Sequence, residues 1–319
     1  MPWRFALVRL VTSVFTLLGV ALLVFIVLRL LPGDEITSTF GTETGVLTEK
    51  QIESLRSYYG VDQPAVQQFF SWLGNVVTGN LGFSVRSGTS VGSLIGDALP
   101  VTVELALLSI LVGMIMGVPL GVLSGARAGT RGDATIQFFG LMGLGIPNFV
   151  IGTFAVTLFA YWFDYFPNAR GYAAPWEDPW LNVQQLVFPA VTLGVALSGT
   201  IMRTTRSAFI ETSTQPFVRT ARGKGVSARR VRYVHILRNA SIPIVTITGI
   251  QFGYLLGGTV IIEQIFAMPG LGRLVLDGIG KRDYAVVQST ILVIAGLFVL
   301  VNLLVDLLYA RLDPRIRNQ

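Results

Sequence analysis

Apolar and polar positions along this chain segregate on the scale of whole helices. An uncharged run at 10–28 follows Arg4 and Arg9, and five more lie at 105–126, 134–163, 179–202, 239–262 and 285–305. Each is close to or above the roughly 20 residues that a helix needs to cross the hydrocarbon core. The first run is longer than the apolar part of a signal peptide and lacks a small-x-small cleavage site, so it is expected to be a span. Six spans result. Residues 32–99 differ from all of them, carrying Asp34, Glu35, Glu43, Glu49, Glu53, Asp62 and Asp97. There Thr48-Glu49-Lys50-Gln51 has the form of a capping box, starting a helix that Gly60 ends. A second amphipathic helix is expected over 64–77, with Val66, Phe69, Phe70, Leu73 and Val77 on one side. Together these predict a small helical subdomain packed on the membrane face.

Charge then assigns sides. The loop at 203–243 holds nine of the chain's 24 Lys and Arg, its one His (His235) and a single acid, Glu211. Lys and Arg flanking spans are retained in the cytoplasm, which puts this loop and both termini inside and residues 32–99 outside. The segments so assigned to the inside hold 16 Lys and Arg against 3 acids, and those outside 8 against 14.

With 52% hydrophobic and 13% charged residues and a mean hydropathy of +0.63, the chain is an integral membrane protein. Its net charge of +6 follows from topology and implies no nucleic-acid partner. Cysteine is absent, which excludes disulfides, thiolate metal sites and Cys nucleophiles. A phosphate-binding loop needs Gly-x4-Gly-Lys-Ser/Thr, whereas Gly223-Lys224 precedes Gly225 and Gly280-Lys281 precedes Arg282. This chain is therefore not expected to hydrolyse ATP, nor to contain any catalytic, cofactor or metal site. Ionisable residues inside spans mark ion and proton pathways by default. Only Asp306 and Glu104 stand out as such, each expected in a structural role, so a transporter coupled to protons or sodium is disfavoured.

The basic loop has more internal order than a charge anchor requires. Pro216 suits a first helical position with Thr214 as a cap before it, Arg222 and Lys224 suit the last turn, and Gly225 a stop. Ser227 can cap a second helix, running through Val231 and Val234 until Pro243 interrupts it. Pro119 and Pro147 are likewise expected to mark helix breaks. Two stripes, Gly117, Gly121, Gly125 and Gly249, Gly253, Gly257, have the spacing of close helix contacts. Polarity alone singles out Asn148, Gln251 and Tyr254 as pathway-facing.

Along nearly its whole length the chain resembles the permease subunits of binding-protein-dependent ABC importers, in particular the first permease of the dipeptide, oligopeptide and nickel group. The resemblance rests on Leu31-Pro32-Gly33-Asp34, Gly60-Val61-Asp62-Gln63-Pro64, Gly79-Asn80-Leu81-Gly82, Ile146-Pro147, Arg219-Thr220-Ala221 with Lys224-Gly225, Leu237-Arg238-Asn239-Ala240, Pro269-Gly270-Leu271-Gly272, Arg282-Asp283-Tyr284, and 302–315. It implies an all-α fold of the type I importer permease kind, in a bacterial inner membrane. The divisions expected are 1–31, the N-terminus and first span; 32–99, the extracytoplasmic subdomain; 100–310, a five-helix core with the loop 203–243; and 311–319, a cytoplasmic tail. It also implies a second homologous permease, two ATPase subunits that bind ATP and Mg, and an extracytoplasmic solute-binding protein. In that family the loop carries a coupling helix that docks on the ATPase. Ala221 and Gly225 match its motif, while Arg219 stands in place of an acid and Thr220 in place of an Ala. The coupling set expected here is Arg219, Thr220, Ala221, Lys224, Gly225, Val226, Ser227, Arg229 and Arg230. Peptides are the expected cargo, with nickel chelates or haem as alternatives. A self-sufficient secondary transporter or channel and an intramembrane enzyme are the competing classes.

Overall fold

Proline at 147 divides two helices, whereas four others, Pro100, Pro119, Pro189 and Pro243, lie within continuous ones. The structure, a computed structural model, describes residues 3–30, 62–84, 86–164, 168 and 171–312. The capping box at Thr48, the helix end at Gly60 and the Leu31-Pro32-Gly33-Asp34 motif lie outside the described residues. The helices are α1 (Trp3–Leu30), α2 (Ala65–Val77), α3 (Val91–Ala126), α4 (Arg131–Gly145), α5 (Asn148–Phe163), α6 (Pro179–Ser213), α7 (Pro216–Gly223), α8 (Ala228–Arg230), α9 (Leu237–Gly258), α10 (Val260–Ile265), α11 (Leu271–Lys281) and α12 (Tyr284–Leu312). A π-helical turn, Val231–Ile236, joins α8 to α9. Among the described residues the only strand-like pairing is one bridge, Phe83 with Ser90.

Among the described residues five helical stretches are long and apolar enough to cross a membrane, and α4 with α5 makes a sixth if the bent pair counts as one span. That pair bends by 83°. Ile146 is extended, with φ −94° and ψ 121°, as a residue before proline favours. Pro119 and Pro243 instead sit inside α3 and α9, and Pro189 inside α6. The expectation that Pro119 and Pro243 mark breaks is thus corrected. Packed membrane helices tolerate the missing amide hydrogen bond.

The chain divides into two compact units. One comprises residues 103–268 with 300 onward, and its centre is α6. Asp178 caps that helix by accepting from Leu181 N at 3.0 Å, and buried residues then follow from Asn182 to Phe209. α3 lies against α6 along a seam of small residues. A Cβ placed on Gly117 would stand 2.9 Å from Ile201 Cβ, and one on Gly121 2.5 Å from Thr205 Cβ. From the other side, a Cβ on Gly194 would stand 2.6 Å from Val112 Cβ. Backbones this close gain dispersion contacts that larger side chains would prevent.

The other unit comprises residues 2–102 and 269–299. Phe25 of α1 meets Phe69 of α2 edge-on at 5.1 Å and stacks on Trp72 at 6.3 Å. Arg29 lies over the Phe25 ring, 3.5 Å from its centroid, and donates to Gln68. The amphipathic helix over 64–77 is present as α2, with Val66, Phe70 and Val77 left exposed. Val91, Ile95 and Ala98 at the start of α3 pack with Leu271 and Val286. Asp283 caps α12, accepting from Val286 N at 3.2 Å and from the Ser84 hydroxyl. Thr102 Oγ1 accepts from Leu271 N at 2.8 Å, filling a need at the start of α11.

Candidate functional site

The basic loop is built around α7. Pro216 opens it at the first helical position, where its missing N–H costs nothing. Thr214 does not cap it. Its hydroxyl donates back to Glu211 O at 2.8 Å and closes α6, so the expected Thr214 cap is corrected. At the other end Gly225 N donates to Arg222 O at 3.0 Å and Val226 N to Ala221 O at 3.2 Å. These two bonds, with Gly225 at φ +73°, make a Schellman closure. Its usual apolar contact is also present. Val226 packs on a cluster of Val122, Phe209, Val218, Ala221, Val231 and Ile236, which joins the ends of α3 and α6 to α7 and the π-helical turn.

The loop's second helix starts after Ser227, whose side chain makes no cap bond; its backbone carbonyl accepts from Val231 N at 3.0 Å. Helix then continues through the π-helical turn and past Pro243 to Gly258, so the expected interruption at Pro243 does not occur. Residues 203–213 extend α6. The non-helical parts of the loop are thus two short corners, 214–215 and 224–227.

The expected coupling residues separate by face. Ala221 is buried and Val226 half-buried, and both hold α7 to the unit. Arg219, Thr220, Lys224, Gly225, Ser227, Arg229 and Arg230 are exposed. A cleft of about 320 Å³ beside α7 is walled by Phe209, Val226, Val231 and Ile236, with Arg222 and Arg232 also lining it. The surface offered outward is cationic and the surface turned inward apolar.

Next to this cluster lies an ion pair that sequence reasoning missed. Asp133, 2% exposed, accepts from Arg206 Nε and Nη2, each at 2.8 Å. It also accepts from Ser124 Oγ at 2.5 Å, Gly129 N at 2.9 Å and Gln137 Nε2 at 3.0 Å. Sequence reasoning singled out Asp306 and Glu104 among ionisable groups, and did not single out Asp133 or Glu263. Asp133 and Glu263 are more deeply buried, and Asp306 is half-buried. Thr259 donates to Glu263 at 2.8 Å. The sequence signal for Asp133 was Thr130-x-x-Asp133, a capping pattern ahead of an apolar run, and Thr130 Oγ1 does accept from Asp133 N at 3.3 Å.

Glu104 takes part in a polar network at the other end of α6. Tyr172 Oη donates to Glu104 Oε2 at 2.5 Å, and Asn182 Nδ2 lies 3.1 Å from Tyr172 Oη and 3.0 Å from Ala173 O. Gln185 Nε2 donates to Gly171 O at 2.6 Å, tying the same connection down. Burial, then the neighbouring Glu104 carboxylate, push the Tyr172 phenol up from its ordinary value of 10.0. The neutral phenol is the form the fold favours. Its contribution is therefore complete below pH 10 and lost as pH rises through the elevated folded value. In a spectrophotometric titration of the intact protein, Tyr172 is expected to remain protonated at pH 10 to 11. Comparison with Tyr172→Phe then checks this, since removing Tyr172 should leave the phenolate signal in that range unchanged.

The pathway-facing candidates lie on two helices. Asn148 starts α5 and is half-buried; Gln251, half-buried, and Tyr254, 61% exposed, lie on α9. Of the second glycine stripe, a Cβ on Gly249 would stand 2.2 Å from Val305 Cγ2, Gly253 is buried and Gly257 is exposed. Among the described residues no group of three His, Asp or Glu side chains could hold a metal ion.

Long apolar helices, a broken span and a cationic helical loop define a multi-pass membrane component. Residues 117–318 match the family described as binding-protein-dependent transport system inner membrane component, and residues 2–106 match its N-terminal region. The chain belongs to this family. It is 38% identical over 311 residues to the probable peptide ABC transporter permease protein y4tP of Sinorhizobium fredii, covering 97% of each. It is 36% identical over 314 residues to the glutathione transport system permease protein GsiC of Escherichia coli O6:H1, covering 98% of this chain and 99% of that one. In fold it is similar to the MetNI methionine ABC transporter in an inward-facing conformation, with a TM-score of 0.57 and 16% identity over 69% of this chain and 96% of that one. The chain is thus a permease of a binding-protein-dependent transport system, lodged in the inner membrane as a multi-pass subunit.

Proposed function

We propose that this permease imports short peptides, as the first of two homologous permeases above a pair of ATPase subunits, and that α7 is the element through which ATP hydrolysis drives it. ATP and Mg would be bound by the ATPase subunits, and a solute-binding protein would deliver the peptide from outside. The observation that carries the coupling reading is the two-faced build of α7. Val218, Ala221 and Val226 anchor it in the apolar cluster while Arg219, Lys224, Arg229 and Arg230 stand exposed. A rigid element of this kind passes displacement to the spans as a body. A charge anchor needs neither the Schellman closure nor the apolar backing.

The peptide assignment is supported by the relatives, named for peptide and glutathione transport over nearly their full lengths. The excess of Lys and Arg supports a cytoplasmic α7 and cytoplasmic termini. Exposed Tyr161, Trp162, Phe163, Trp176 and Trp180, flanking the connection from α5 to α6, have the character of an interfacial aromatic belt.

The test is co-expression of this chain with the products of its neighbouring genes, then purification in detergent and reconstitution in liposomes. An ATPase is expected to co-purify, and ATP-dependent uptake of a labelled dipeptide or oligopeptide is expected only with the binding protein present. Uptake without any ATPase would overturn the coupling reading. Uptake of a nickel chelate or haem in place of peptide would overturn the cargo alone.

A further inference from the structure

The Asp133 network joins α3, α4 and α6 through directional polar bonds. The α3 and α6 seam is formed by glycines and alkyl groups, whose attraction is non-directional. A bidentate guanidinium and carboxylate pair is directional and fixes rotation as well as distance. Here the carboxylate, buried on α4, receives the Arg206 fork from the last part of α6. The Ser124 hydroxyl from α3, the Gly129 amide from the turn and Gln137 from α4 complete its shell. Its acceptor capacity is filled.

The position of the pair matters as much as its geometry. Arg206 lies one helical turn from Phe209, a member of the cluster that backs α7, and α6 reaches α7 through the corner at 214–215. Asp133 lies in the first turn of α4, and α4 leads through the Pro147 break into α5. A displacement of α7 that moves the end of α6 must therefore carry α4 with it for as long as the fork is engaged.

We infer that Asp133 and Arg206 are positioning residues that transmit the movement of α7 to the broken span of α4 and α5, making transport obligatory to ATP hydrolysis. This rests on the coupling reading of α7. Neither residue is placed against substrate or nucleotide; both act through the helices they join.

The experiment uses the assembled importer in liposomes with its binding protein, and reads peptide transported per ATP hydrolysed alongside ATPase co-purification. Asp133→Asn keeps the shape and removes the charge, and Arg206→Gln removes the fork. Each is expected to lower the ratio about tenfold with the ATPase still bound, and Arg206→Lys, which keeps charge without the fork, about threefold. Because the two act as one unit, the double variant is expected to be no worse than either single. A merely structural pair would lower the yield or melting temperature and leave the ratio unchanged, which would overturn the inference. So would a double variant whose loss is the product of the two single losses. Should Asp133→Asn fail to assemble, Ser124→Ala, which deletes one bond to the same carboxylate, is expected to give a smaller fall in the same ratio, and an unchanged ratio there overturns the inference equally. Gly225→Pro, read by ATPase co-purification and ATP-driven uptake, separates the layers. If it lowers these and Asp133→Asn leaves the ratio unchanged, this inference alone fails; if it leaves them unchanged, the coupling reading fails with it.

Discussion

Gly225→Pro is expected to reduce ATPase co-purification and ATP-driven uptake by roughly 100-fold, with the chain still inserted in the membrane. The residue holds φ +73°, and proline is locked near −65°, so the corner cannot form as it stands. The substitution also removes the Gly225 N–H bond to Arg222 O and disfavours the near-zero ψ of Lys224, the residue before it, since a residue preceding proline is pushed to extended backbone. Loss of that bond and of the Val226 bond to Ala221 O, added to the conformational penalty, costs about 3 kcal/mol. Gly225→Ala separates backbone from bulk. A Cβ there meets nothing within 4 Å, so alanine costs only the left-handed conformation, about 1 to 2 kcal/mol. A graded series, with glycine above alanine and alanine above proline in both co-purification and uptake, is the expected result. Full activity of the proline variant would show that the shape of this corner is not used in coupling.

Much of the lever was readable from residue types because its determinants are local. Pro216 at a helix start and Gly225 past a helix end are decided by φ and by one missing amide, and both stand where sequence reasoning puts them. The spans were likewise legible, since about 20 apolar residues leave few alternatives. What was not legible depends on partners distant in sequence. Pro147 breaks a helix and Pro243 does not, yet both are prolines within apolar runs, so the residue type alone does not separate them. Thr214 has the chemistry of a cap but spends its hydroxyl on Glu211 O, closing the preceding helix instead. Arg206 reads as one more basic residue of the loop until α6 is seen to run on to Ser213, which brings it to Asp133. Glu263 directly follows an apolar run in the sequence, and only the fold shows it fully buried.

Gly121→Val tests the seam on which the whole unit containing α7 is assembled. The first added carbon would stand 2.5 Å from Thr205 Cβ and 2.6 Å from the Met202 carbonyl oxygen, and neither can withdraw without moving α6. The branched methyls would deepen the clash. Overpacking of a single site costs about 1 to 3 kcal/mol where side chains can shift, and the upper end is expected where backbone stands in the way. The thermal midpoint of the detergent-solubilised protein should therefore fall by several degrees. Gly19→Ala on α1 is the matched control, because a Cβ there meets nothing within 4 Å and alanine favours helix by about 1 kcal/mol. It is expected to leave the midpoint unchanged or raise it. Since α6 carries Thr205, Arg206 and Phe209 in adjacent turns, parting the seam at Gly121 should also loosen the fork at Asp133 and the backing of α7. Gly121→Val is thus expected to lower the transport-to-hydrolysis ratio as well as stability, whereas a change confined to lipid-facing packing would lower stability alone.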